Sequence, residues 1–341
     1  MGSSSAPARL AFVVPYVGKL PPWSTLFFES CRRNPVIDVL LLSQAALPST
    51  PPPNVHVVRM GREEIFSRIG NAIGLKLRPG NAHKLCDFKP FYGLAFADLL
   101  KGYEFWGYCD LDMMFGSLEK LLTDDFLSSL DIFTANDTGH FVGHFTILRN
   151  TPLINNLCFE IDGWKESAAA PGWSHMDEER ILAAVRKNPR VRLSTPNRLA
   201  SELNSPFARF GITFGALGEV TLLDPPDTPV VKWDSGGVYY ESDSGRVTEA
   251  LYVHFLGTKL WWHWILFNRR AAARRVHYFS RIGYGGVRHP ADLHRFPWRE
   301  LYWLQSRTFS AKVALGRPLR RWLPRRAFSL LRWLLHSLLR I

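Results

Sequence analysis

The sequence predicts an α/β protein, a mixed and mostly parallel sheet flanked by helices, with a basic amphipathic helical tail behind it. Three observations carry this reading. Short apolar runs of strand length alternate with segments of helical spacing through the N-terminal part of the chain. An aromatic run, Phe105-Trp106-Gly107-Tyr108-Cys109, ends in two carboxylates, Asp110 and Asp112. The charge is also unevenly divided. All 341 residues sum to +12, yet residues 265–341 hold seventeen Lys and Arg against Asp292 and Glu300, a net +15, which leaves the first 264 residues at −3.

Taken in order, residues 10–16 form a buried-type strand closed by Pro15. Residues 24–33 have helical spacing, with Ser24 as N-cap and Asn34-Pro35 as the stop. Strands follow at 37–43 and, beyond a proline-rich loop, at 55–59; a helix is expected from Gly61 to Gly74. Residues 81–90 lead into another helix, 91–100. After the aromatic strand come a short helix at 118–122, a strand at 132–136 and a Gly/His loop from Thr138 running into a strand that ends at Asn150. Gly143 in that loop lets backbone approach a ligand or shapes a tight hairpin, and both readings fit. Trp173 opens a helix through Lys187 whose first turn holds Asp177 and Glu178, ordinary partners of a helix dipole. Residues 224–227 and 234–237 read as loops, and 251–255 as a late strand carrying His254, with Lys259 close behind.

With 46% hydrophobic and 21% charged residues, the chain can bury a sizeable core and is not a disordered polymer. The organisation is read as a domain over residues 8–264 and a basic helical extension over 265–341. Cys31, Cys86, Cys109 and Cys158 are scattered in apolar surroundings without metal-ligand spacing, as in a reducing compartment. Neither a signal-peptide plan nor an uncharged apolar run of ~18 residues is present, so a cytoplasmic location is expected. The extension sets arginines among Trp322, Trp333 and many leucines, the composition of an interfacial helix on an anionic membrane. A helix docked on the protein's own core is the alternative. Nucleic acid is not expected as a partner, because the body is acidic and no binding motif is found.

On a strand, the spacing of Asp110 and Asp112 puts both carboxylates on one face. They repel unless a cation lies between them, and Mg²⁺ or Mn²⁺ suits such oxygen ligands. A solvated strand end fits as well. His254 on its apolar strand is an ordinary core histidine or, joined to Asp110 and Asp112, a metal ligand.

Asp110-Leu111-Asp112 followed by Phe115-Gly116-Ser117-Leu118 resembles the metal motif of GT-A fold glycosyltransferases, whose sheet is Rossmann-like. Residues 83–118, with Gly143-His144-Phe145 and Tyr252-Val253-His254-Phe255, are similar to a bacterial domain family associated with polysaccharide biosynthesis. A more distant resemblance, to the glycogenin and lipopolysaccharide galactosyltransferase family, rests on His254-Phe255-Leu256-Gly257-Thr258-Lys259-Leu260-Trp261. Here the segment is one residue shorter before the lysine and lacks the family's proline. These resemblances imply a metal held by Asp110, Asp112 and His254, and a diphosphate met by Lys259. They also imply a nucleotide sugar, commonly a UDP-sugar, against Asp87, Lys89, Asp110 and Gly143, its base at Pro15 and Tyr16. The acceptor would be a saccharide or a lipid-linked saccharide, reached by peripheral association with the inner face of the cytoplasmic membrane. Asp177 or Glu178 would act as base in an inverting enzyme; retention, to which the resemblance points, would leave those acids holding the acceptor. Two other classes use some of the same features: a metal-dependent phosphodiesterase or nuclease, and a non-catalytic carbohydrate-binding or scaffold protein on the same fold.

Overall fold

The computed structural model describes residues 9–21, 23–47, 50–135, 141–195, 209–214, 220–221, 231–241, 247–254, 276–280 and 283–285. Its first eight strands are β1 (Leu10–Pro15), β2 (Ile37–Leu42), β3 (Val55–Val58), β4 (Phe105–Cys109), β5 (Met113–Phe115), β6 (Ile132–Thr134), β7 (Phe145–Arg149) and β8 (Leu193–Ser194). The remaining strands are β9 (Arg209–Phe214), β10 (Val220–Thr221), β11 (Val231–Asp234), β12 (Gly237–Glu241), β13 (Val247–His254), β14 (Val276–Ser280) and β15 (Gly283–Gly285).

A central seven-stranded sheet has the order β3-β2-β1-β4-β7-β6-β8. β3, β2, β1 and β4 are parallel, and so are β6 and β8, while β7 is antiparallel to both neighbours. This is the expected mixed, mostly parallel sheet flanked by helices. Alternate side chains explain its unbroken apolar strands. Leu10, Phe12 and Val14 enter one core with Phe105 and Cys109, whereas Ala11 and Val13 enter the other with Trp106 and Tyr108. A strand covered on both faces has no polar alternation to show. Strand order reverses between β1 and β4, and in open α/β sheets the crevice at the carboxyl ends of such strands is where ligands bind.

Helix α1 (Ser24–Arg32) buries Phe27, Phe28 and Cys31 against the first of these cores. Trp23 occupies its N-cap rather than Ser24, whose hydroxyl instead donates to Pro21 O at 2.7 Å. Helix α2 (Arg62–Ile73) is bounded by Gly61 and by Gly74, which takes a left-handed C-cap at φ 69°. The expected helix over 91–100 is corrected: Ala82–Phe91 is a ten-residue 3-10 helix, followed by a single α-turn, Tyr92–Ala95, and further turns. Pro90 has no N–H for a helical ladder, and a Cβ on Gly93 would lie 2.7 Å from the Trp106 ring, so this segment is shaped by packing rather than by helix propensity.

A second sheet runs β10-β9-β13-β12-β11-β14-β15, with β5 also on β13. Residues 234–237, read as a loop, are the two-residue turn of the β11–β12 hairpin. Ser235 and Gly236 both have positive φ, 53° and 94°, as a turn matching strand twist requires. β14 and β15 lie past residue 264 and extend this sheet from β11. Among the described residues no helix is long and apolar enough to cross a membrane.

β5 joins the two sheets. It leaves a turn at the end of β4 and pairs antiparallel with the last residues of β13, so that Met113 stands opposite His254 and Phe115 opposite Tyr252. Phe115 packs at ring-centroid distances of 5.9 Å from Phe12, 5.6 Å from Phe27 and 6.0 Å from Phe145. Each such ring contributes ~2–3 kcal/mol of burial. Gly116 ends the strand where β12 and β5 meet on β13. A Cβ there would come within 2.8 Å of Ala250 O and 3.0 Å of Leu251 O.

Candidate functional site

The turn Asp110-Leu111-Asp112 lies between β4 and β5. The two carboxylates therefore do not share a strand face, as their spacing had implied; a turn brings them together instead. Asp112 is buried, and its Oδ1 lies 3.5 Å from His254 Nε2. That closeness follows from register, since Met113, the next residue, is paired with His254. Asp110, Asp112 and His254 each offer one ligand atom, and these atoms all lie within 4.8 Å of one another.

His254 is 2% exposed, and neither ring nitrogen has a hydrogen-bond partner. Its imidazole stacks on His144 at 4.0 Å, and His144 Nε2 is 2.9 Å from the Tyr252 hydroxyl. An unpartnered buried polar group costs ~1–3 kcal/mol. Two carboxylates and an imidazole whose nitrogens make no hydrogen bond form a donor set that fits Mn²⁺ or Mg²⁺.

Lys89 joins the turn to the other side of the cleft. Its ammonium donates to Asp110 Oδ1 at 2.8 Å and to Gly143 O at 2.6 Å, and lies 3.9 Å from Asp177 Oδ2. Burial works against the charged form, but Asp110, with Cys86 and Asp177 behind it, outweighs burial and lifts the lysine well above its ordinary value. Gly143 leaves room for Asp177: a Cβ would sit 2.7 Å from Asp177 Oδ2 and would push the carboxylate aside. Asp177 lies in a π-helical turn, Met176–Arg180, of a kind frequent at functional sites. Burial raises its carboxyl to about 6, against the opposing pull of Lys89 and of the Trp173 N–H, which donates to Oδ1 at 3.1 Å.

The other expected residues fall in different places. Glu178 turns its carboxylate toward His175, at 3.4 Å. Pro15 ends β1 and Tyr16 follows it, and the β1–β4 register that pairs Leu10 with Phe105 runs toward the same end of the sheet as Asp110. Asp87 is fully buried, with both oxygens occupied by Lys84 Nζ and by the backbone N–H groups of Ser174 and Met176. Lys259 and residues 286–341 lie outside the described residues.

Sequence reasoning missed Lys84, His144 and Tyr252. The Lys84–Asp87 spacing was the available signal for Lys84, since i and i+3 eclipse in a 3-10 helix. His144 and Tyr252 stood in the segments that carry the resemblance, but at 108 residues apart nothing local showed that they meet, and neither was given a role.

A family model described as "Family of unknown function (DUF6625)" matches residues 12–271. No curated protein matches the chain. Among solved structures, apo mouse xyloside xylosyltransferase 1 is similar with a TM-score of 0.35 and 10% identity, over 61% of this chain and 87% of that one. The galactosyltransferase LgtC, in complex with donor and acceptor sugar analogs, is similar with a TM-score of 0.32 and 12% identity, over 60% and 75%.

Proposed function

We propose that this chain, which belongs to the family of unknown function DUF6625 over residues 12–271, is a metal-dependent glycosyltransferase that uses a nucleotide-diphosphate sugar. The observation that carries the reading is the cluster of Asp110, Asp112 and His254, with both His254 nitrogens buried and without a hydrogen bond, at the carboxyl end of the parallel strands β1 and β4. A divalent cation held by these three residues would neutralise the diphosphate as it leaves the sugar. Lys89 fixes Asp110 and the Gly143 carbonyl, so the cleft keeps its shape. Asp177, one cation away from Asp110, has a carboxyl poised near neutral pH and can hold or deprotonate an acceptor hydroxyl.

A UDP-sugar is the expected donor, retention the expected course, and a saccharide or lipid-linked saccharide of surface-polysaccharide assembly the expected acceptor. These follow from the sequence resemblance. The phosphodiesterase reading is less well supported, since among the described residues the structure gathers one metal-ligand cluster where two-metal chemistry needs a second.

The test is thermal stability with UDP or GDP and Mn²⁺. Nucleotide plus metal should raise Tm by several degrees, as tight binding to the native state does, and Asp112→Ala should abolish the rise. The absence of any nucleotide response in the wild-type protein would sink the proposal.

A further inference from the structure

Residues 172–175 lead into the π-helical turn that carries Asp177, and a buried ion pair holds them. Lys84, 2% exposed, donates to Asp87 Oδ2 at 2.9 Å, Ser167 O at 2.5 Å and Gly172 O at 2.8 Å. Asp87, 0% exposed, accepts from Ser174 N and Met176 N. A buried ion pair is costly to desolvate and is a poor way to gain stability. What it fixes here is the backbone on both sides of two surface rings.

Those rings are Trp173 and His175, with centroids 3.6 Å apart; the exposed His83 meets Trp173 edge-on at 4.8 Å. His175 is exposed and takes a left-handed backbone, φ 57° and ψ 32°, which is uncommon for a residue with a Cβ. Strained residues persist where the surroundings over-determine them, and they cluster at binding sites. Core packing does not account for an exposed ring. Two carboxylates flank the pair: Asp177 accepts from the Trp173 N–H, and Glu178 lies 3.4 Å from His175.

We propose that Trp173 and His175, held by the Lys84–Asp87 pair, form the platform on which the acceptor saccharide is seated. A pyranose presents a C–H face to an aromatic ring and hydroxyl groups to a neighbouring carboxylate, and the segment offers the rings with the accessible Glu178 carboxylate beside them. The position fits. Asp177 touches Trp173 through one oxygen and faces Lys89 through the other, and Lys89 holds Asp110. The inference rests on the transferase reading for its word acceptor, but the platform itself can be tested alone.

Saturation-transfer NMR would be run on the full chain with the methyl glycosides of galactose, glucose, mannose and N-acetylglucosamine as probes. The wild-type protein should saturate the ring C–H protons of at least one of them. His175→Gly and Trp173→Leu should each reduce that saturation about five-fold, the size of a lost aromatic contact. Glycine suits the positive φ, so His175→Gly removes the ring without straining the loop. Circular dichroism serves as the folding control. No saturation in the wild-type protein, or equal saturation in the folded variants, overturns the proposal. Saturation lost in the variants, together with no nucleotide response in the wild type, would keep the platform and sink the transferase reading alone.

Discussion

Asp177, the proposed acceptor-side carboxyl, opposes stability through its burial. It is 2% exposed, and burial lifts its carboxyl from 3.8 to about 6, because the charged form is poorly solvated there. The sign follows from linkage. A group whose folded value is raised favours the folded state fully below its unfolded value and loses that contribution as pH rises through the folded one. For Asp177 the loss is expected between about pH 4 and 6 and amounts to ~3 kcal/mol at most. Asp177→Asn keeps the shape without the titration. In urea unfolding the variant should match the wild type near pH 4 and exceed its stability near pH 8 by up to ~3 kcal/mol. A pH-independent difference would contradict the assigned cause. The same variant should lose transfer to the acceptor, so that stability and activity trade against one another at this position.

At the scale of elements, the site depends on a strand of three residues. β5 places Asp112 against His254 only because it reaches β13 in register, and Gly116 is what allows the two backbones to close. Gly116→Ala would put a Cβ 2.8 Å from a backbone carbonyl that cannot rotate away. The expected result is a folded protein destabilised by ~1–3 kcal/mol, with Mn²⁺ binding weakened about tenfold or more as β5 is displaced. Calorimetric titration with Mn²⁺ measures this, and unchanged affinity in the folded variant would show that β5 does not position Asp112.

The legibility of the chain divides along the same line. β1, β2 and β4 could be read because strands buried on both faces are continuous apolar runs, and α2 because glycines mark both its ends. The turn of Ser235-Gly236 was read as a loop, since a hairpin is recognised by the strands beside it and those residues show little alternation. Asp110, Asp112 and His254 were nominated together on residue types and resemblance. Their convergence through β5 could not be seen, because antiparallel pairing between residues some 140 positions apart leaves no local pattern. Lys89 was read as a contact to the nucleotide sugar, yet its partners in the structure, Asp110, Gly143 and Asp177, come from three separate segments.

The molecule as a whole carries its charge at one end of the sequence. The family match stops at residue 271, and beyond it the excess of arginine makes the chain basic while the preceding part is slightly acidic. An anionic membrane does not attract a slightly acidic body, so the attachment proposed from the sequence would come from the tail. On that proposal Arg317, Arg320, Arg321, Arg325, Arg326, Arg332 and Arg340 would contribute ~1 kcal/mol each near such a surface, and Trp322 and Trp333 are of the residue type that would add apolar burial at the interface. The full chain should therefore sediment with phosphatidylglycerol-containing vesicles. Because charge–charge attraction is screened within ~10 Å at 0.1 M salt, sedimentation should fall as salt is raised. Deleting residues 315–341 should leave the protein in the supernatant while transfer to a soluble saccharide persists, since every residue assigned to the site lies before residue 260. Vesicle binding that survives the deletion would move the attachment to the body and overturn the role proposed for the tail.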